Sequence, residues 1–205
     1  MFDTIEHMFA PTQASLFGST GLAVQESFVS LDRRQLSNGA WVDYAPGWLQ
    51  GDETLFWLIA ERAEWVSPMV RMYDRVVQTP RLNAPVDISW HPILPVLVEV
   101  LSERYDVQLD RVSAGLYRDG NDGVAWHGDR IARDLPSATV ATVSLAGPRR
   151  FLLRPRGGGR SVAYSLGHGD LIVMGGSCQR TWEHTVPKAA AAEPRIALMF
   201  RHAYD

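Results

Sequence analysis

The sequence predicts a mainly β domain of the α+β class, a sandwich or jelly roll flanked by helices and preceded by an N-terminal extension. Three observations lead there. From about residue 111 onward, eight apolar runs of four to eight residues alternate with Gly, Asp and Pro, the texture of short strands joined by turns. Upstream lie two stretches of helical periodicity, whereas the first thirty residues carry no sustained period. A chain of 205 residues suffices for one good-sized core.

Taken in order, Phe2, Phe9, Phe17 and Phe28 lie among Ser, Thr and Gly and are expected to drape over the core as loop and short strand. Ser37-Asn38-Gly39-Ala40 ahead of Trp41-Val42-Asp43-Tyr44 signals a hairpin, because Asn-Gly supplies the positive φ angles of a type I′ turn. Asp52 is expected to cap a helix reaching about Trp65, with Leu55, Phe56, Leu58 and Ile59 on its apolar side. Residues 66 to 90, with Tyr73, Arg75 and two prolines, Pro80 and Pro85, read as a loop-rich tract that is either a lid over a site or a plain connector. A second helix is expected from about Pro92 to Tyr105, its buried stripe being Ile93, Leu97, Val100 and Leu101. The eight strands are expected at 111–118, 124–129, 139–145, 150–154, 161–164, 170–174, 179–185 and 195–202. Residues 1–85 thus form an extension and lid region packed on a core of residues 86–205, together one compact domain.

A single cysteine, Cys178, excludes an internal disulfide and gives no sign of an oxidising compartment. The start lacks a basic n-region and a long apolar stretch, and runs such as Leu171 to Met174 fall far short of the ~20 residues a membrane helix needs. The expectation is a cytoplasmic monomer with no membrane partner. The formal charge of −3 gives no general reason to expect a polyanion, but it is unevenly spread. Residues 1–60 hold seven acids and two arginines; residues 118–160 hold eight arginines and four aspartates, so one face can attract phosphate.

Trp126-His127-Gly128-Asp129 is the stretch that carries chemistry. Alternate residues of a strand share a face, so His127 and Asp129 project together with Cβ atoms roughly 6 to 7 Å apart. With His184 from a distant strand they would make two histidines and a carboxylate on one side of an ion, a set that suits non-haem Fe(II) and leaves its opposite side open. Patterns this short also arise by chance, so spacing alone leaves the metal an open question. Arg195 and Arg201 are six residues apart and share a face, their Cα atoms about 20 Å apart on an extended strand.

Several ordered stretches together resemble a known family, the AlkB-like 2-oxoglutarate and Fe(II)-dependent dioxygenases. They are Leu116-Tyr117-Arg118-Asp119-Gly120-Asn121-Asp122 followed by Trp126 to Asp129, Val143-Ser144-Leu145 with Arg149-Arg150-Phe151, Gly169 to Met174 with Trp182-Glu183-His184 and Val186-Pro187-Lys188, and Arg195 to Arg201. The resemblance implies a double-stranded β-helix, a jelly-roll form with the metal at its mouth. It implies His127, Asp129 and His184 as ligands of Fe(II) and as the catalytic centre, with 2-oxoglutarate and O2 as co-substrates. Arg195 and Tyr117 would hold the distal carboxylate of 2-oxoglutarate, and Arg201 would lie nearer the iron. The chain departs from the family pattern at Gly115, Ala197 and Met199, where polar residues are common, and at Arg130 and Ile131, where acids are common. The first set bears on 2-oxoglutarate affinity and the second on base recognition.

The activity implied is oxidative demethylation of N-alkylated bases, such as 1-methyladenine and 3-methylcytosine, in alkylated DNA or alternatively RNA, yielding succinate, CO2 and formaldehyde. A base in a duplex must leave the stack to be modified, so aromatic surfaces and arginines are expected around the site. Tyr73, Trp126 and Trp182 are the aromatic candidates and Arg75, Arg130, Arg149 and Arg150 the basic ones, core packing being the competing role for each aromatic. The turn from Arg154 to Arg160 is a further candidate for phosphate, its glycines equally explained as a hairpin turn. Two alternatives stand beside this: the same chemistry on a protein or small molecule, and a jelly-roll module that holds metal or nucleic acid without redox chemistry.

Overall fold

The structure, a computed structural model, describes residues 21–202 except 68, 73, 74, 130 and 132–134; for 70–72 and 75–78 it describes the backbone alone. In chain order come β1 (Ala23–Val24), β2 (Asp32–Gln35), β3 (Ala40–Ala45), β4 (Leu49–Gln50), α1 (Asp52–Arg62), β5 (Met69–Met72), β6 (Arg75–Gln78), β7 (Leu82–Pro85) and α2 (Ile93–Tyr105). Then follow β8 (Arg111–Tyr117), β9 (Val124–His127), β10 (Val140–Ala146), β11 (Arg149–Pro155), β12 (Val162–Leu166), β13 (Leu171–Gly176), α3 (Cys178–Thr181), β14 (Trp182–Val186) and β15 (Arg195–Arg201). The last eight strands answer to those expected from sequence, except that the one expected at 179–185 begins only at Trp182, because Cys178–Thr181 forms the helical turn α3.

They divide between two antiparallel sheets that face each other as a jelly roll. The larger has the order β2-β3-β13-β10-β15-β8-β7 and the smaller β12-β11-β14-β9. Side-chain alternation sorts the large sheet's residues into two cores. Ile196, Leu198 and Phe200 of β15, with Val143 and Leu145 of β10, meet Leu55 and Ile59 of α1 and Leu94, Leu97 and Leu101 of α2 on one face. Ala197 and Met199 point the other way, towards Phe151, Leu153 and Trp182 of the small sheet. Being covered on both faces, β10 and β15 are buried along nearly their whole length, β15 as the apolar run Ile196 to Phe200 between two arginines. Polar residues on the inner face of such a sheet are therefore conspicuous, and that face carries Tyr117, Ser144, Arg195 and Arg201.

Several local expectations are modified. Ser37–Gly39 forms a three-residue turn, with Asn38 at φ 62° and Gly39 at φ 76°, so both supply positive φ in a loop one residue longer than a type I′ turn. Asp52 does not cap α1; Gly51, at φ 68°, precedes the helix, and the Asp52 carboxylate instead accepts the Ala146 N–H at 2.7 Å. The helix ends at Arg62, and the Trp65 indole N–H folds back to the Ala60 carbonyl at 3.0 Å. On α2 the buried stripe is Leu94, Leu97 and Leu101, with Ile93 and Val100 half-buried. The loop-rich tract contains a hairpin, β5–β6, and then β7, which pairs with β8 at the edge of the large sheet.

Candidate metal centre

β9 and β14 are neighbours, and their register sets His127 directly opposite His184. The two imidazoles lie with ring centroids 4.2 Å apart, and Phe151 backs His184 at 5.3 Å. Just beyond β9 the chain turns so that Asp129 faces the pair, its Oδ1 being 3.8 Å from His127 Nε2. One ligand-type atom from each of His127, Asp129 and His184 falls within 4.8 Å of the others, the only such group of three among the described residues. The turn depends on Gly128, since a Cβ there would meet the Gln179 carbonyl oxygen at 2.7 Å. The Gln179 side chain holds the next residue, its Oε1 accepting the Asp129 N–H at 2.7 Å.

The donor set fits a divalent cation. His127 Nδ1 lies 2.8 Å from the Ala125 carbonyl, which can only accept, so the proton belongs on Nδ1 and the Nε2 lone pair is left to face Asp129. Burial pushes the His184 imidazole down to about 3, with His127, Arg81 and Arg201 adding to the fall and Asp129 opposing it. His127 is lowered as well, again chiefly by burial. Both rings are therefore neutral at ordinary pH, the form that coordinates metal. Burial acts to raise the Asp129 carboxyl, but Arg201, the two histidines and Arg81 outweigh it and hold it below the usual range, so it is ionised.

Behind the cluster stands an arginine wall. Arg195 and Tyr117 are register partners on β15 and β8, both about 1% exposed, with the guanidinium carbon 5.3 Å from the phenol ring centre. Arg195 Nε donates to Ser144 Oγ at 2.6 Å, while its buried Nη1 has no partner. Burial pushes this guanidinium down to about 10, Tyr117 opposing and Arg149 and Arg81 adding to the fall. Arg201, farther along β15 and nearer the cluster of His127, Asp129 and His184, has Nη2 at 3.6 Å from Asp129 Oδ1 and a buried, unpartnered Nε. A fully buried cation with no carboxylate partner among the described residues is unfavourable alone and fits an anionic ligand. A small dicarboxylate reaching from Arg195 towards Arg201 meets that need.

Gly115, Ala197 and Met199 line the same inner face. The space that a Cβ at Gly115 would enter is bordered by Asn83 Oδ1 at 3.5 Å, Arg81 Nη1 at 3.6 Å and the Met199 methyl at 3.6 Å. Asn83 pairs with Gly115 across β7 and β8, so an amide does stand beside this position, supplied by the neighbouring strand.

The substrate candidates scatter. Trp126 is on the opposite face of β9 from His127, with the Arg154 guanidinium stacked on it at 4.0 Å, so it is not a surface beside the cluster. Arg149 is 3% exposed and donates to the carbonyls of Asp119, Asp122 and Pro187; it ties the loop before β9 to the loop after β14 and is not available to phosphate. Arg150 is exposed, on the outer face of β11. Trp182 is 6% exposed and its indole N–H donates to the Ser37 carbonyl at 3.3 Å, a wall position. It borders a surface cleft of about 470 Å3 shared with Arg34, Ser37 and Arg160. Tyr73 and Arg130 lie outside the described residues, and Arg75 is described only as backbone in β6. One residue missed by the motifs, Arg81, reaches the site from just before β7, and no spacing rule points to it.

Residues 56–201 match the family described as the 2OG-Fe(II) oxygenase superfamily. The chain is 32% identical over 154 residues to alpha-ketoglutarate-dependent dioxygenase alkB homolog 3 of Bos taurus, covering 68% of this chain and 50% of that protein. It is 29% identical over 192 residues to DNA oxidative demethylase ALKBH2 of Arabidopsis thaliana, covering 72% of this chain and 61% of that protein. The chain spans about half the length of the curated alkB homolog 3 relatives it matches. Among solved structures it resembles OsALKBH1, with TM-score 0.57 at 13% identity over 83% of this chain and 100% of that one. A prolyl hydroxylase from Trichoplax adhaerens gives TM-score 0.54 at 15% identity, over 80% and 84%. At such identities these two likenesses speak to the fold alone.

Proposed function

The chain belongs to the 2OG-Fe(II) oxygenase superfamily, and from that membership we propose that it is an oxidative demethylase acting on N-alkylated bases of DNA or RNA. The observation that carries the co-substrate reading is Arg195, buried at 1% exposure with an unpartnered Nη1 above a His-Asp-His cluster. The names of its relatives, a DNA oxidative demethylase and alkB homolog 3, support the nucleic acid substrate.

In this reading His127 through Nε2, Asp129 and His184 hold Fe(II) on one side. Arg195 and the Tyr117 hydroxyl take the far carboxylate of 2-oxoglutarate, and Arg201 takes the end nearer the metal through charge-assisted hydrogen bonds. When bound, iron, 2-oxoglutarate and O2 supply an oxidation of the N-methyl carbon that releases succinate and CO2, after which the hydroxymethyl group leaves as formaldehyde. The protein's part is to keep both imidazoles neutral, to fix the dicarboxylate by two arginines, and to wall the site from water with Phe151, Met174 and Val186. Arg34 and Arg160, facing the 470 Å3 cleft beside Trp182, and the exposed Arg150 are the groups we assign to the phosphates of the strand that delivers the base.

The test is turnover on an oligonucleotide carrying one 1-methyladenine or 3-methylcytosine, with Fe(II), 2-oxoglutarate and O2. Loss of the methyl group with matching succinate is expected, and both products should vanish in His127→Ala and Asp129→Ala. Succinate without demethylation would overturn the nucleic acid substrate while leaving the oxidation chemistry in place.

A further inference from the structure

Arg81 has no role in the assignments above, yet its side chain enters the cleft. β7 pairs with β8 so that Leu82 lies opposite Leu116 and Asn83 opposite Gly115, which brings Arg81 level with Tyr117 on the inner face. Its Nη1 donates to the Tyr117 hydroxyl at 2.9 Å, and its guanidinium carbon is 5.9 Å from the ring centre. Arg195 approaches the same ring at 5.3 Å. Two guanidiniums therefore converge on one phenol that is 1% exposed. Arg149 comes as near the ring, also at 5.3 Å, but its donors are taken up by three backbone carbonyls. Among the described residues, neither Arg81 nor Arg195 has a carboxylate within ion-pair distance, the cleft's only acid, Asp129, being 3.6 Å from Arg201 instead.

Like charges gathered in a poorly solvated place are unfavourable unless an anion lies between them. Tyr117 indicates where that anion would sit. Its oxygen already accepts from Arg81, which leaves its own O–H free to donate. Farther along the inner face Ala197 and Met199 offer no polar side chain and Gly115 has only the neutral Asn83 amide beside it, so at this end of the cleft the guanidiniums are the cationic groups able to bind a carboxylate, with the phenol as a neutral donor.

We propose that Arg81 is a direct ligand of the distal carboxylate of 2-oxoglutarate, which is thereby held between two guanidiniums, Arg81 and Arg195, with the Tyr117 hydroxyl as third donor. The inference rests on the co-substrate reading under Proposed function. It makes β7, the strand that follows the β5–β6 hairpin, part of the co-substrate site, so that filling the site tethers the base of that hairpin to the large sheet.

Calorimetric binding to Mn(II)-loaded protein without O2 tests it, using 2-oxoglutarate and 2-oxobutyrate, which keeps the 2-oxo acid end and lacks the distal carboxylate. Arg81→Met is expected to weaken 2-oxoglutarate binding tenfold or more and to leave 2-oxobutyrate binding unchanged. Arg81→Lys, which keeps the charge and loses the planar fork, is expected to fall between, and serves if the Met variant does not fold. Equal weakening of both ligands, or weakening of neither, overturns the assignment. A wild-type protein that binds Mn(II) but not 2-oxoglutarate would overturn the co-substrate reading itself, and Arg81's role with it.

Discussion

Arg195 is a residue whose surroundings suit an anionic ligand. Its guanidinium is buried, the groups it meets among the described residues are the neutral hydroxyl of Ser144 and the Tyr117 phenol, and its Nη1 is left without a partner. Replacing an unpaired buried cation with an apolar side chain of similar length commonly stabilises a protein. Arg195→Met is accordingly expected to bind 2-oxoglutarate at least tenfold more weakly while the ligand-free protein is no less stable in urea. A large loss of stability would mean that the charge is structurally compensated. Cys178 shows the opposite use of burial. It is 2% exposed, and burial, helped by Asp129, pushes its thiol from 9.0 up to about 12. A thiol held that high is almost wholly protonated at pH 8, and the thiolate is the reactive form, so a disulfide reagent should label Cys178 only after unfolding. Ready labelling of the native protein would show that the α3 region opens.

At the scale of elements, the approach of the turn after β9 to α3 is the tightest constraint on the site. A methyl group at residue 128 would stand 2.7 Å from the Gln179 carbonyl, a backbone atom with little freedom to retreat. Gly128→Ala is expected to destabilise the protein by about 1–3 kcal/mol and to weaken divalent metal binding tenfold or more, because Asp129 is held by the same residue, Gln179. Urea unfolding and a Co(II) titration read the two effects separately. The elements legible in sequence are those with strong local signals. The eight later strands are bounded by Gly, Asp and Pro, and α1 and α2 show helical apolar spacing. β5, β6 and β7 are hidden because prolines and arginines break any alternation there, and α3 because four residues carry no period. The true partner of Asp52 lies 94 positions away, beyond any local rule.

For the whole molecule, the candidate site is assembled by parity. Every inner-face residue of β8, β10 and β15 is an alternate residue of a strand buried on both sides, so once Arg195 faces inward, Ala197, Met199 and Arg201 must follow. The same rule sets Trp126 opposite to His127, a point readable from adjacency alone. The fates of Arg149 and Arg81 were not readable, since one turns on three carbonyls from distant loops and the other on the pairing of β7 with β8. A site divided between two sheets also links occupancy to global stability. Mn(II) and 2-oxoglutarate together, each at a hundred times its dissociation constant, should stabilise the fold by about 2.7 kcal/mol per ligand. That is a rise of roughly 5–10 °C per ligand in thermal midpoint for a chain of this size. No rise with either ligand would count against a preformed site. The pairing of β9 has a last consequence. This strand is four residues long, borders the small sheet on its outer edge, and is joined to β14 through an irregular register at His184 and Val186. Left to itself such an edge frays. An ion gripped by both His127 and His184 would then be a rivet through the rim of the jelly roll, and amide exchange along β9 is expected to run slow while such a metal is in place and to quicken on its removal.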